Sequence, residues 1–163
     1  VRRADFIVLT KANLVSPEQA AEWREWVAKN APDKPVLSGE YVFKGFRSLK
    51  NQVVQSLKDS AYLVSGIAKP ETLEKTLADR VKVVKHKTFS DHHRYTDLEV
   101  EAMLDDASQL QARWILTTAK DKMKLGAFPR LRERLWVAEI GVKFNGDVNA
   151  LYEAVDRLGR KGH

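Results

Sequence analysis

Residues 89–95 read Phe-Ser-Asp-His-His-Arg-Tyr, placing two of the chain's four histidines directly after an aspartate. Histidine is the side chain whose ordinary pKa lies near neutrality, and an adjacent carboxylate orients the ring and favours its charged form. Asp91 and His92 therefore have the residue types of a general acid or base. The same residues also fit a helix-entry loop held by its own hydrogen bonds. Zinc is disfavoured, because adjacent histidines project differently and no third ligand follows at a usual spacing.

Three other polar segments follow apolar runs. "LVSGIAKPE" offers Ser65, Gly66 and a helix start, where backbone N–H groups can face a phosphate or a nucleotide's sugar, although many strand-to-helix turns look alike. "ILTTAKDKMKL" ends a run with Lys120 and Asp121, a pair that also reads as a salt bridge or cap. "IVLTKANL" puts Thr10 and Lys11 at a strand end, with Asn13 where the base-side loops of P-loop hydrolases carry aspartate. No Gly-x-x-x-x-Gly-Lys-Ser/Thr, Gly-x-Ser-x-Gly, His-Glu-x-x-His or Gly-x-Gly-x-x-Gly sequence occurs, so the chain has no phosphate cradle of the P-loop kind.

These segments need a frame to position them, and the pattern supplies one. Strand-like runs at Phe6–Thr10, Ala61–Val64, "VKVVKHKTF", Trp114–Thr117 and "LWVAEIGV" alternate with helical patterns. Ser16, Pro17 and Gln19 form a capping box ahead of a helix to about Asn30, in which Ala20, Trp23, Trp26 and Val27 share the spacing of a core face. "PVLSGEYVFKGFRSL" reads as two short strands around Gly39 and Gly45, followed by a short helical piece. Pro70 opens a second helix, Thr96 and Glu99 cap a third carrying Leu98, Val100, Met103 and Leu104, and Asp147 and Gly159 bound a closing one. The alternation predicts an α/β fold, a mostly parallel sheet with helices on both faces in a Rossmann-like three-layer arrangement. Ligands of such sheets bind at the carboxyl ends of the strands, where the polar segments fall.

With 44 % hydrophobic residues, 163 positions suffice for one α/β unit with a real core. An alternative division separates residues 1–45, as the end of a preceding lobe's sheet, from 46–163. No run approaches the roughly 18 apolar residues of a spanning helix, and the first residues lack signal-peptide order. The absence of cysteine fits a reducing compartment, so a cytoplasmic location is expected. A net charge of +6, with Arg157, Arg160 and Lys161 near the end, favours anionic partners. The chain opens on Val1 and reaches an apolar run within five residues, which reads as the later part of a longer protein.

Taken in order, "ADFIVLTKANL", "SGIAKPETLEKTL", "FSDHHRYTDLEVEAML" and "ILTTAKDKMKL" resemble the C-terminal half of the tetraacyldisaccharide 4'-kinases, the lipid A kinases of Gram-negative bacteria, over about residues 2–142. Ser90 stands where the family has proline, and Ala119 where it has glutamate. The resemblance implies the second lobe of a P-loop kinase that phosphorylates the 4'-hydroxyl of a lipid A disaccharide precursor at the inner face of the inner membrane. It implies ATP and magnesium held mainly by an N-terminal lobe, so these residues alone are expected to be inactive. It also implies an anionic membrane surface as partner, with nucleic acid not expected. By position, the family's histidine is His92 with Asp91 beside it, and Lys11, Ser65 and Gly66 are candidate nucleotide contacts. The rival readings are a non-catalytic nucleotide-, nucleic-acid- or lipid-binding module and an Asp-His-His phosphoesterase. The phosphoesterase needs further metal-binding aspartates, whereas Asp105 and Asp106 fall inside a predicted helix.

Overall fold

A computed structural model describes residues 4–160. It divides into two compact units, one built from the residues up to Val42 together with those from Gly141 onward, the other from Phe43–Ile140.

In the first unit, β1 (Ile7–Thr10) leads through α1 (Pro17–Asn30) to the start of β2 (Val36–Ser48). β1 and β2 pair in parallel, from Ile7 opposite Val36 to Thr10 opposite Gly39. The capping box forms as its residues dictate, with the Gln19 amide donating to Ser16 Oγ at 3.2 Å and the Ser16 amide to Gln19 Oε1 at 3.4 Å. Ala20 and Val27 are buried, but Trp23 and Trp26 are 39 % and 56 % exposed, which corrects the core role their spacing predicts. At 3.6 residues per turn, Trp26 lies about 120° around the helix from Ala20, too far to share its buried stripe. The unit closes with α5 (Val148–Arg160), whose Ala150 amide donates to Asp147 Oδ1 at 3.0 Å. Gly159 is the penultimate residue of that helix, and Lys161 lies outside the described residues.

The second unit carries the remaining strands in the order β3-β2-β7-β6-β4-β5, with β3 (Val53–Val54), β4 (Ala61–Ser65), β5 (Val83–Thr88), β6 (Trp114–Thr118) and β7 (Leu135–Asn145), of which the last runs on into the first unit. β4–β5, β4–β6 and β6–β7 are parallel, and β3 is antiparallel to β2. β5 stands at the outer end of this order.

β2 is one strand where the alternation predicts two. Gly45 absorbs the irregularity at φ +140°, where a Cβ would lie 3.0 Å from Val53 Cγ1. β3 and turns occupy the place of the short helical piece, and α4 (Lys122–Gly126) adds a helix the pattern does not announce.

β4 is buried throughout, and its alternation shows how the layers form. Tyr62 and Val64 pack with Val100, Met103 and Ala107 of α3 (Asp97–Gln109) and Leu125 of α4. Ala61 and Leu63 pack on the opposite face with Leu73 and Leu77 of α2 (Pro70–Leu77). Successive side chains of a strand point to opposite faces, so this unit has helices on both sides of a mostly parallel sheet, as the sequence predicts. Leu98, included in the apolar spacing of α3, is instead 79 % exposed.

Candidate active site

The carboxyl ends of β4, β5 and β6 carry three loops of the second unit, and Gly66 is where they meet. Its amide donates to Asp121 Oδ2 at 2.9 Å, and the same oxygen accepts from Thr118 Oγ1 at 3.2 Å. A Cβ at position 66 would lie 3.0 Å from the Ser90 carbonyl oxygen and 3.3 Å from Asp121 Oδ1. Only glycine lets the three segments approach so closely. The Phe89 amide donates to the Ser65 carbonyl at 2.9 Å, continuing the β4–β5 pairing into the histidine loop.

Within that loop the two histidines have different surroundings. His93 is turned inward, with Nε2 3.0 and 3.1 Å from the two oxygens of Glu99, and its ring is stacked on Phe89 at 4.5 Å. The Thr96 amide first and His93 second hold the Glu99 carboxyl below its ordinary range. His92 has φ +60° and a side chain 84 % exposed, with Nε2 3.8 Å from Asp91 Oδ2. Asp91 Oδ1 accepts from the His92 amide at 2.8 Å and from Lys120 Nζ. The Lys120 ammonium is the main reason the Asp91 carboxyl lies below its usual range.

Below this rim, Tyr95 Oη, Asp121 Oδ1 and Lys124 Nζ are buried without hydrogen-bond partners, and Lys124 Nζ lies 3.8 Å from Asp121 Oδ1. Burial first, and the Asp121 charge second, push the Tyr95 phenol up.

Ser65 is fully buried, and its hydroxyl lies 2.7 Å from His86 Nε2. His86 Nδ1 in turn lies 2.6 Å from Glu74 Oε1 of α2. This Glu74–His86–Ser65 chain resembles a hydrolase triad only on paper, because a fully buried hydroxyl cannot reach a substrate. Sequence reasoning missed Glu74, whose partner His86 lies 12 positions away in the chain.

Of the residues singled out in the sequence, the structure thus brings Ser65, Gly66, Asp91, His92, Lys120 and Asp121 to neighbouring strand ends of one unit. The Ser65 hydroxyl and the Gly66 amide already have partners inside the protein, so neither is a free donor for a phosphate. Lys11 belongs to the first unit. It is exposed at the end of β1 with φ +62°, its ammonium 5.9 Å from the Tyr41 ring centroid. The nearby Asn13 amide group bonds both the carbonyl and the amide of Tyr41, at 2.9 and 3.1 Å.

Among the described residues, no group of three or more histidine, cysteine, aspartate or glutamate side chains could hold a metal ion. The sequence also lacks the P-loop motif that cradles a triphosphate. What the residues present offer is an exposed imidazole beside a carboxylate and an ammonium group, able to orient a hydroxyl, move a proton and neutralise negative charge.

A doubly covered, mostly parallel sheet with polar loops at its strand ends defines the class of open α/β proteins, whose ligands bind beyond the carboxyl ends of the strands. The family model for tetraacyldisaccharide-1-P 4'-kinase matches residues 1–159, and the chain belongs to that family. It is 32 % identical to a tetraacyldisaccharide 4'-kinase of Syntrophobacter fumaroxidans over 163 residues, covering 97 % of this chain and 42 % of that protein. It is 29 % identical to the enzyme of the same name from Bdellovibrio bacteriovorus, covering 98 % of this chain and 48 % of that protein. The chain therefore spans less than half the length of these curated relatives. A crystal structure of the "apo" form of LpxK from Aquifex aeolicus in complex with ATP shares the fold, with a TM-score of 0.56 and 20 % identity over 93 % of this chain and 51 % of that one.

Proposed function

We propose that this chain is the C-terminal part of an ATP-dependent kinase that phosphorylates the 4'-hydroxyl of a tetraacyldisaccharide 1-phosphate in lipid A biosynthesis. The observation that carries this reading is the exposed His92 ring, held beside Asp91 on a loop clamped against two other strand ends. His92 orients the acceptor hydroxyl and takes its proton. Asp91 holds the ring's orientation and balances the charge that the ring gains. Phosphoryl transfer depends mainly on positioning and electrostatics, which suits a site with no nucleophile of its own.

ATP and magnesium are gripped by residues outside this sequence, so the 163 residues by themselves are inactive. Lys11 is a candidate nucleotide contact on its own unit. Ser65 and Gly66 serve by shaping the turn rather than by donating to phosphate. Ala119 brings no carboxylate to its exposed position, and the proposed chemistry does not use one.

The location that fits this substrate is peripheral, on the inner face of the inner membrane. The net charge of +6 supports it, as do Tyr152, Val155 and Arg157, all exposed on α5. No helix among the described residues is long and apolar enough to cross a membrane.

The test is His92→Ala in the protein at its native length. We expect kcat to fall by roughly 10²- to 10⁴-fold, the usual contribution of a positioned acid or base. Turnover equal to that of the parent would refute the assignment.

A further inference from the structure

Asp91 lies between Lys120 and His92. The Lys120 ammonium bonds Asp91 Oδ1, while Oδ2 of the same carboxylate lies 3.8 Å from His92 Nε2. Lys120 and Asp91 are both accessible, with side chains 38 % and 52 % exposed. An ion pair at such a surface is only weakly favourable, so an incoming anion can replace one of its members. The segment that carries Lys120 is anchored more firmly. The next residue, Asp121, is buried and accepts from the Gly66 amide and the Thr118 hydroxyl, so the lysine stem starts from a fixed point beside the histidine loop.

We propose that Lys120 is a phosphoryl-binding residue of this site, which exchanges Asp91 for a phosphoryl oxygen of the substrate and so releases the carboxylate to His92. The inference rests on the reading of His92 given above. It makes substrate binding and histidine orientation one event. Before the anion arrives, the ammonium occupies the carboxylate; afterwards the ammonium neutralises the phosphoryl group and the carboxylate faces the imidazole. Lysine suits this exchange as a compact charge with three rotatable donors, which needs no fixed fork geometry. Two sources can supply the oxygen, the nucleotide and the 1-phosphate of the lipid acceptor, and the experiment separates them.

The test uses the native-length protein with Lys120→Met, Lys120→Arg and Asp91→Asn. Kd is measured by calorimetry for ATP and for the phosphorylated acceptor separately, alongside kcat. Lys120→Met is expected to weaken one of the two ligands about 10-fold and to lower kcat by about 10²-fold, as loss of a charge-stabilising donor does. Lys120→Arg should restore most of both. The ligand that weakens identifies the source.

Asp91→Asn gives the decisive contrast. If the two side chains merely brace one another, losing either should act alike. Exchange instead requires tighter binding of the same ligand once the competing carboxylate is neutral, and no such gain when Lys120→Met is also present. Unchanged affinity for both ligands in Lys120→Met overturns the proposal, as does weaker binding that arginine fails to rescue. Activity retained in His92→Ala would remove the underlying reading. A dead His92→Ala beside a fully active Lys120→Met would remove this inference alone.

Discussion

Replacing Asp121 by alanine would strip the Gly66 amide and the Thr118 hydroxyl of their shared acceptor in a place that water does not reach. A buried donor left unpaired costs about 1–3 kcal/mol. Urea unfolding of Asp121→Ala should therefore show a loss of about 2 kcal/mol, and Asp121→Asn, which keeps an acceptor oxygen, a smaller one. Equal and negligible losses would show that the clamp is not structural. The sequence displayed this aspartate as half of a Lys-Asp pair at a strand end. The structure separates the two neighbours, one facing inward to join loops and the other outward to meet Asp91. Both lie in the turn between β6 and α4, where one dipeptide can hold a structural and a reactive group. Residue type could not say which was which, because the partners lie 55 and 29 positions away in the chain.

At the scale of elements, α3 is where local rules and the site are joined. Thr96 and Glu99 form the capping box that their spacing announces, and Glu99 also receives His93, which fixes the loop from which His92 projects. Removing the cap by Thr96→Ala should cost about 1 kcal/mol, seen as a lower midpoint in denaturant. The Glu99 carboxyl is depressed in the folded state, so its stabilisation is fully present above the ordinary glutamate value of about 4.3 and is lost as pH falls through the lower folded value. Acid unfolding of Glu99→Gln should accordingly lack the part of the pH dependence that the parent shows below about pH 4. Identical acid profiles would contradict this role. Caps, strand ends and the two-sided sheet were legible because each follows from neighbours within a few positions. The tryptophans of α1 and the unbroken run of β2 were not, because long-range packing decides which stripe of a helix is covered and whether a glycine interrupts a strand.

For the molecule as a whole, charge is the property that sequence states most directly, and its use depends on where it is displayed. If the basic surface meets anionic lipid, the native-length protein should sediment with vesicles containing about one-third anionic lipid. Raising salt from about 0.1 to 0.5 M, which shortens the screening length, should release it, and Arg157→Glu should weaken the association. Equal binding to neutral vesicles, insensitive to salt, would set the membrane proposal aside. The same excess of lysine has another consequence along β5, the outermost strand of its order. Lys82 precedes that strand and Lys85 and Lys87 lie on it, with the Lys85 ammonium 2.6 Å from Asp106 Oδ2 of α3, so among the described residues a second polypeptide pairing along β5 would bring its backbone beside charged side chains. Charge beside an edge strand discourages edge-to-edge growth into aggregates.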